Sequence, residues 1–303
     1  MARAGESHSV RLALMAHSLN IAPLWMAVEQ GFFAAQGVAA EVMVRADIQN
    51  VEAVLSGEAD FGGSTEGVFE KAFAGERGLK IIVQVVENPL HLIVAPAEVG
   101  RLEDLRGAAL MTPARGAMPE WHAAFLLRQH GLRPGLDVAF PAHQRAYTPE
   151  ERLTSFTTGQ CRGLVSSPPE CFALLRAGFR VVADLSQAFF GRASHALVTT
   201  ERFIRDHPEV VQRLIHGYTA CVQAMRTDRP ASVAYLMEGW HLQRDLAEEC
   251  YDRLAHRWVA KLDLASLSRE MELFSTSLGR RPIPLAELAS TAFAIPTVES
   301  ATA

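Results

Sequence analysis

Residues 57–66 read Gly-Glu-Ala-Asp-Phe-Gly-Gly-Ser-Thr-Glu, and this stretch decides how the surrounding chain is interpreted. Residues 59–62 predict a short buried strand. Gly62 and Gly63 then allow a sharp turn and a close approach of the backbone to a ligand. The stretch therefore predicts a strand that ends in a glycine turn.

A helix is expected to begin directly after this turn. Ser64 or Thr65 can cap it near Glu66. A helix N-terminus behind a glycine turn presents free N–H groups and binds small anions and polar ligands. The same order of elements also occurs in α/β proteins as a plain connection without a ligand, and the stretch alone leaves both interpretations open.

The composition is that of a globular protein. The 303 residues suffice for two ordinary domains, with 49% hydrophobic and 21% charged residues. A net charge of −5 favours neither a nucleic acid nor a membrane surface as a partner. No stretch approaches the roughly 18 apolar residues of a membrane helix, so we expect no membrane insertion.

The four cysteines, Cys161, Cys171, Cys221 and Cys250, form no C-x-x-C motif and no zinc-type spacing with histidine. Scattered buried thiols are the favoured interpretation, and a disulfide stays open. We expect no metal and no cofactor.

The first nine residues are polar and have neither an apolar core nor a cleavage motif of a secretory signal. Two interpretations follow. The protein is cytoplasmic, or it is periplasmic and a signal peptide was removed.

The first part of the chain alternates strands and helices. Strands are predicted at residues 10–15, 40–44, 59–62 and 80–86, and helices at 22–36, closed by Gly37, and at 50–56. This rhythm predicts a parallel sheet covered by helices.

The pattern breaks at residues 87–89, Glu-Asn-Pro, and a second α/β unit begins. Its strands are predicted at 91–95, 108–111, 138–140, 163–165 and 180–184, with a helix ending near Gln129 and capping boxes at 148–151 and 166–170. One more strand is predicted at 196–199. From Glu201 onward the pattern is almost entirely helical, including a long amphipathic helix at 210–226.

Several short motifs, in order, match one family. They are Ala22-Pro23-Leu24-Trp25, Glu29-Gln30-Gly31-Phe32-Phe33, Leu55-Ser56-Gly57-Glu58-Ala59-Asp60-Phe61-Gly62, Leu102-Glu103-Asp104-Leu105-Arg106-Gly107 and His207-Pro208-Glu209-Val210-Val211. The chain resembles the type II periplasmic substrate-binding proteins of the SsuA/THI5-like family, which bind nitrate, taurine, aliphatic sulfonates or thiamine-pyrimidine precursors. Most of these residues are structural in the family, so they indicate the fold better than the ligand.

The resemblance implies an α/β fold of two lobes, each a mostly parallel sheet flanked by helices, with a helical C-terminal region. Lobe one would comprise residues 1–90 plus 196–303, and lobe two residues 91–195, with a ligand cleft between them. It implies a non-catalytic, monomeric solute-binding component of an ABC importer, whose partners are a small-molecule ligand and, if the protein is exported, the transporter permease.

Ligands of open α/β sheets bind beyond the carboxyl ends of the strands. The candidate ligand-binding residues are therefore loop residues at these ends and at the two lobe crossings: Ser18, Asn20, Ser64, Thr65, Glu66, Asn88, His91, Thr112, Arg115, Gly116, Trp121 and Ser166. Trp25 and His195 are weaker candidates, and Glu170 is interpreted as a capping residue.

Alternatives remain for the main candidates. Ser18 and Asn20 either cap the helix at 22–36 or contact ligand. Glu66 either complements the helix dipole or reaches the cleft, where it would favour an amine, amide or heteroaromatic N–H. Arg115 either clamps a carboxylate or is solvated. A mixed ligand, anionic at one end and N–H-bearing at the other, satisfies both Glu66 and Arg115.

An enzyme on the same fold is the alternative function, and a cytoplasmic location would favour it. Pyrimidine synthases similar to this fold carry a cysteine-rich run, which is absent. Desulfinases use a cysteine after the first strand and an arginine near the glycine loop, where this chain has Ser18 and Asp60. A decarboxylase or hydrolase acting on a small aromatic or heterocyclic acid, with His17 or His91 and Glu66, stays open, although the residues favour a non-catalytic role.

Replacing Arg115 with alanine is expected to weaken an acidic ligand by about 1.5–3 kcal/mol, because a charge-assisted hydrogen bond would be lost. Calorimetric titration measures the change. Arg128→Ala, at the far end of the predicted helix, is the control, and an unchanged affinity in the Arg115 variant would remove this residue from the site.

Overall fold

In a computed structural model of the protein, the chain leaves one structural unit, forms a second and returns to the first. Unit 1 comprises Met1–Glu87 and Gly191–Ala303, and unit 2 comprises Asn88–Phe190. The structure describes residues 7–15, 18–45, 47–113, 117–141 and 149–298. The lobe boundaries inferred from the sequence, residues 1–90 plus 196–303 and residues 91–195, stay a prediction.

The described residues form ten strands, in chain order β1 (His8–Leu14), β2 (Val38–Val44), β3 (Phe61–Gly62), β4 (Leu79–Glu87), β5 (Leu92–Ala95), β6 (Leu110–Met111), β7 (Gly163–Ser166), β8 (Arg180–Asp184), β9 (Ala193–Thr200) and β10 (Trp258–Lys261).

The helices are α1 (Ala22–Glu29), α2 (Asp47–Ser56), α3 (Thr65–Phe73), α4 (Met118–Gln129), α5 (Pro149–Thr157), α6 (Glu170–Arg176), α7 (Leu185–Ala188), α8 (Glu201–Asp206), α9 (Pro208–Thr227), α10 (Arg229–Gly239), α11 (Arg244–Leu254) and α12 (Leu264–Ser277). No helix among them is both long and apolar enough to cross a bilayer.

Unit 1 contains a six-stranded sheet in the order β10-β4-β9-β3-β1-β2. Strand β1 pairs in parallel with β2 and β3, whereas β9 runs antiparallel to both β3 and β4. Strands β1 to β4 therefore share one direction, and β9 and β10 run against them. The nearly continuous burial of β4 follows from its place between β9 and β10 with helices on the sheet.

Unit 2 contains a four-stranded sheet in the order β6-β7-β5-β8. Strand β6 is parallel to β7, and β5 is antiparallel to β7 and β8. Three strands thus share one direction and β5 opposes them. Most strands of each sheet share one direction, but three of the five strand pairs in unit 1 and two of the three in unit 2 are antiparallel. Each sheet is therefore mixed.

Helix α9 is the longest helix of unit 1 and packs on its sheet. Pro208 occupies its first turn, where a missing N–H costs nothing. The Tyr218 hydroxyl lies 3.0 Å from the carbonyl oxygens of both Val85 and Val259 and so links the helix to β4 and β10. The predicted amphipathic helix is confirmed.

Three local predictions were wrong. The helix expected at 22–36 ends at Glu29, because Gly31 adopts a φ of +75° and the chain turns before a short 3-10 helix that Gly37 closes. The strand expected at 138–140 is reduced to isolated bridges, of which one joins Ala139 to Ala109. Strand β10 was missed, because four residues between two helices carry no alternation and their partner β4 is distant in sequence.

Gly217 allows α9 to approach the chain after α1. A methyl group there would lie 2.8 Å from the Phe32 carbonyl oxygen and 2.9 Å from Phe33 Cδ1. Gly217→Ala is therefore expected to lower the free energy of unfolding by about 1–3 kcal/mol, measured in urea.

Gly239 in α10 is the matched control, because the nearest atom to a methyl group there is 3.9 Å away. Gly239→Ala is expected to be neutral or to stabilise by up to about 1 kcal/mol through helix propensity. Equal effects at both positions would contradict the steric explanation.

Candidate functional site

The carboxyl ends of β1, β2, β3 and β4 lie at one edge of the unit 1 sheet, which is where open α/β sheets bind ligands. The antiparallel β9 enters the sheet at the same edge, since Gly62 pairs with Val198 and Val86 with Ser194. We call this region the unit 1 edge. The stretch of residues 57–66, with which the sequence analysis began, contains β3 and reaches this edge.

The glycine turn packs directly against α2. A methyl group at Gly62 would lie 3.1 Å from the Asn50 carbonyl oxygen, so a larger residue would fit only if Asn50 shifted by a few tenths of an ångström. The Gly63 N–H donates to Asn50 Oδ1 over 3.3 Å. Asn50 is fully buried, and the sequence analysis did not identify it. The feature of the sequence that could have identified Asn50 is its place in the helix directly before the glycine turn.

Ser64 caps α3, as predicted. Its backbone is extended, with φ −133° and ψ 121°, and its hydroxyl accepts a hydrogen bond of 3.0 Å from the Gly67 N–H. This cap occupies one of the first-turn donors. The N–H groups of the two preceding helical residues have no acceptor within the helix and point out of its N-terminus.

Two buried polar groups beside this N-terminus lack hydrogen-bond partners among the described residues: Thr65 Oγ1 and Asn50 Nδ2. Thr65 is 1% exposed and Asn50 is 0% exposed. Leaving such a group unpaired in the interior costs about 1–3 kcal/mol. Folding retains these two groups at that cost.

The other candidates of unit 1 are also buried at or near this edge. Asn20 is 0% and Glu66 4% exposed, and Ser18 is half-buried. Neither Ser18 nor Asn20 caps a helix through its side chain: Ile21 precedes α1 as its N-cap without a side-chain bond, so the capping interpretation was wrong. Trp25 is a core residue at 6% exposure.

His195 enters unit 1 at the same edge. It lies in β9 three residues before Val198, the partner of Gly62, and has a φ of +51°. The side chain is 4% exposed, and burial lowers its pKa to about 4. The imidazole is therefore neutral at pH 7.

The unit 2 edge is formed by the carboxyl ends of β6, β7 and β8 and the start of β5. Two strand-end hydroxyls there hold carboxylates of the following helices. Thr112 Oγ1 donates to Glu120 Oε2 over 2.9 Å, and Ser166 Oγ donates to Glu170 Oε2 over 2.5 Å. Both hydroxyl residues are buried, at 1% and 0% exposure.

The capping box predicted at 166–170 was wrong. The N-cap of α6 is Pro169 and receives no side-chain bond, while Ser166 lies four residues before Glu170 and binds its side chain instead. The hydroxyl three residues before the acid, as a capping box requires, belongs to Ser167, but Pro169 holds the N-cap position and the box does not form. Glu170 is therefore oriented by Ser166. The box predicted at 148–151 begins outside the described residues.

Asn88 and His91 mark the start of unit 2. Asn88 is 9% exposed and adopts a φ of +48°, a conformation that asparagine tolerates better than most residues. His91 is 6% exposed, and its carbonyl oxygen accepts the Leu185 N–H over 3.0 Å. Because Leu92 pairs with Ser166, His91 lies at the unit 2 edge beside a second candidate.

An aromatic cluster occupies the first turns of α4. Trp121 is half-buried and contacts the His122 ring edge-on, with centroids 4.5 Å apart. His122 stacks on Phe189 at 4.1 Å and 12°. Trp121 was among the predicted site residues, whereas His122 and Phe189 were not. The stacking of His122 depends on Phe189, which is distant in sequence.

Arg115 and Gly116, together with His17, lie outside the described residues. The sequence analysis also missed Glu120, for which an acid in the first turn after a strand-end threonine was the signal. All four cysteines are buried, and none of them forms a disulfide. Within the described ranges, no cluster of three or more histidine, cysteine or acidic residues is arranged to hold a metal ion.

Two units, each built from a mixed sheet with helices and joined by two chain crossings, define the periplasmic-binding-protein class of fold. The profile of the NMT1/THI5-like family matches residues 18–138. The protein YtlA of Bacillus subtilis (strain 168), which carries a provisional assignment as a binding protein, is 24% identical over 134 residues. That match spans 43% of this chain and 40% of the length of YtlA.

Solved structures extend the likeness to nearly the whole chain. The alkanesulfonate-binding protein SsuA from Xanthomonas axonopodis pv. citri, bound to MOPS, is 18% identical with a TM-score of 0.75 over 96% of this chain and 99% of that one. The desulfurization enzyme DSZB is 16% identical with a TM-score of 0.70 over 94% and 97%. The predicted resemblance to the SsuA/THI5-like proteins and the predicted fold class are confirmed.

The buried His195 predicts a pH dependence of stability. Its folded-state pKa of about 4 lies below the unfolded value of 6.5, so the unfolded chain binds a proton first as the pH falls. Stability is complete above pH ~6.5 and is lost toward pH ~4. Because of His195, we expect the free energy of unfolding to fall by about 2 kcal/mol when the pH is lowered from 7 to 5.

The variant His195→Asn, which tolerates the positive φ, should lose this part of the pH dependence. Urea unfolding at both pH values measures the difference. An identical pH dependence in the variant and the original protein would show that His195 is not buried in neutral form.

Proposed function

We propose that this protein is a solute-binding component of an ABC importer that binds a small polar organic ligand. Two findings support a binding role. Both sheets present buried polar side chains at the edge where ligands of open α/β sheets bind. The relatives by structure include an alkanesulfonate-binding protein.

The single observation that carries the proposal is the pair of unpartnered groups at the N-terminus of α3. Thr65 Oγ1 and Asn50 Nδ2 are buried and have no hydrogen-bond partner among the described residues. Buried polar groups are otherwise almost always paired, so their exceptions need an explanation. A bound ligand that accepts from Asn50 and contacts the Thr65 hydroxyl supplies one.

The chemistry of the two edges favours a ligand of mixed character. The N-terminus of α3 supplies N–H donors and a positive dipole end for an anionic or carbonyl group. The acids Glu66, Glu120 and Glu170 supply acceptors for N–H groups. A sulfonate, carboxylate or pyrimidine-like ligand that also carries N–H groups, including a zwitterion, fits both.

The proposal extends to how the ligand is captured and delivered. Closure of two lobes on a hinge is a general mechanism for ligand capture, and the chain crosses between its units twice. The permease of an ABC importer is the proposed partner, the periplasm the proposed location, and a monomer the proposed state. The cleft between the lobes, and the roles of the candidate residues in it, belong to this proposal.

Thr65→Val tests the central observation, because valine has the same shape without the hydroxyl. We expect the ligand-free variant to be about 1 kcal/mol more stable, since an unpaired buried hydroxyl is removed. We expect it to bind ligand about tenfold more weakly, since one hydrogen bond is lost. Urea unfolding and calorimetry with a panel of taurine, alkanesulfonates, carboxylates and aminopyrimidines give the two values.

Thr199→Val is the matched control in the same unit. The Thr199 hydroxyl donates to the Asp60 carbonyl oxygen over 2.7 Å, so this variant should be less stable and should bind ligand normally. Failure of every member of the panel to bind would contradict the proposed function. Normal binding by the Thr65 variant would instead remove Thr65 from the site.

The enzymatic alternative stays a prediction. The likeness to DSZB concerns the fold, and the chain has Ser18 and Asp60 where the desulfinase pattern expects a cysteine and an arginine. Mass spectrometry of a bound ligand after prolonged incubation distinguishes the two functions, because a binding protein returns the ligand unchanged.

A further inference from the structure

A cavity of about 610 Å³ lies in unit 1, apart from the N-terminus of α3. It is bounded by β10, the last turn of α9 and residues 291–298, which we call the outer segment. Its size falls within the range of small-molecule sites, which is about 300–1,000 Å³. The site proposed above uses none of the residues that line it.

The cavity exists because the outer segment passes β10 without pairing with it. Just before this segment, the Ile81 N–H donates to Leu288 O over 2.7 Å, and the Ser290 N–H donates to Ile81 O over 2.9 Å. Farther along, Gln212 exchanges two hydrogen bonds with Ala294, of 2.6 and 3.1 Å. Within the described ranges, no backbone hydrogen bond joins residues 291–298 to β10.

The cavity contains one cation that no described anion neutralises. Lys261 is paired with Glu87 over 3.0 Å. Arg226 is half-buried, and no ion pair or hydrogen bond of its guanidinium occurs among the described residues. The C-terminal dipole of α9 offsets part of this charge, equivalent to about half an elementary charge. A bound anion would neutralise the remaining charge.

His256 adds a neutral polar group beside this cation. Burial lowers the pKa of His256, and the charges of Arg257 and Arg226 lower it further. Arg226 and His256 both line the cavity. At pH 7 the imidazole is uncharged and can donate or accept a hydrogen bond without opposing an anion.

The remaining lining is largely apolar. It includes Val259, Leu262, Phe293, Ile295 and Val298. The lining also holds the ion pair of Lys261 with Glu87, so Arg226 is the cation without a described counter-ion beside this apolar surface. Sites for small ligands usually combine apolar lining with a few polar groups that fix the orientation.

We propose that this cavity is a second ligand site, which binds an organic anion through a carboxylate or sulfonate on Arg226, with a hydrocarbon body against β10 and the outer segment. The proposal is independent of the importer function and of the ligand at α3. Octanoate has both required parts and is the probe.

Calorimetric titration of the full chain with octanoate is expected to show one site, and octylammonium, with the same body and the opposite charge, is expected not to bind. Arg226→Gln should weaken octanoate about tenfold or more, because the charge-assisted contact is lost. Arg213→Gln, an exposed arginine on the same helix, is the matched control and should bind normally.

A second variant keeps the test independent of charge. Thr297→Trp places a large side chain into the cavity from the exposed outer segment and should abolish binding while the unfolding midpoint is unchanged. Thr65→Val should bind octanoate normally. The proposal is overturned if octanoate does not bind, if octylammonium binds equally well, or if Thr65→Val weakens binding and Arg226→Gln does not.

Discussion

The close packing of α2 against the turn between β3 and α3 is the constraint on which the unit 1 edge depends. A methyl group at Gly67 would lie 2.6 Å from Val51 Cγ2, and one at Gly62 would lie 3.1 Å from the Asn50 carbonyl oxygen. This approach excludes solvent from Asn50 and Thr65. An apolar contact thus creates two dry polar groups, and in a low dielectric such groups interact strongly with a ligand that fits them.

The edge of unit 2 also carries buried polar groups, but there they are paired with each other. Its strand-end hydroxyls, Thr112 and Ser166, are paired with the carboxylates of Glu120 and Glu170. These bonds fix the orientation of the acids, and each acid keeps further acceptor capacity. The unit 1 edge therefore supplies N–H donors at a helix start, and the unit 2 edge supplies oriented carboxylates.

The returning part of the chain holds the unit 1 edge in place. The Trp258 indole N–H donates to Leu19 O over 2.9 Å and ties β10 to the loop after β1. Tyr218 joins α9 to β4 and β10 through one hydroxyl. The contact of Trp258 with Leu19 connects residues 239 positions apart, so the loop that carries Ser18 and Asn20 is positioned by a strand the sequence pattern did not reveal.

The sequence by itself determined the alternation of strands and helices, the glycine turn, the Ser64 cap and the family resemblance, because these depend on local periodicity and on short-range backbone chemistry. Only the tertiary structure decided that β10 is a strand, that Ser166 binds Glu170, that Asn50 lies against Gly63, and that Arg226 lines a cavity with the outer segment. Each of these depends on a contact between residues brought together by packing, and neither hydrophobic period nor capping pattern carries information about such contacts.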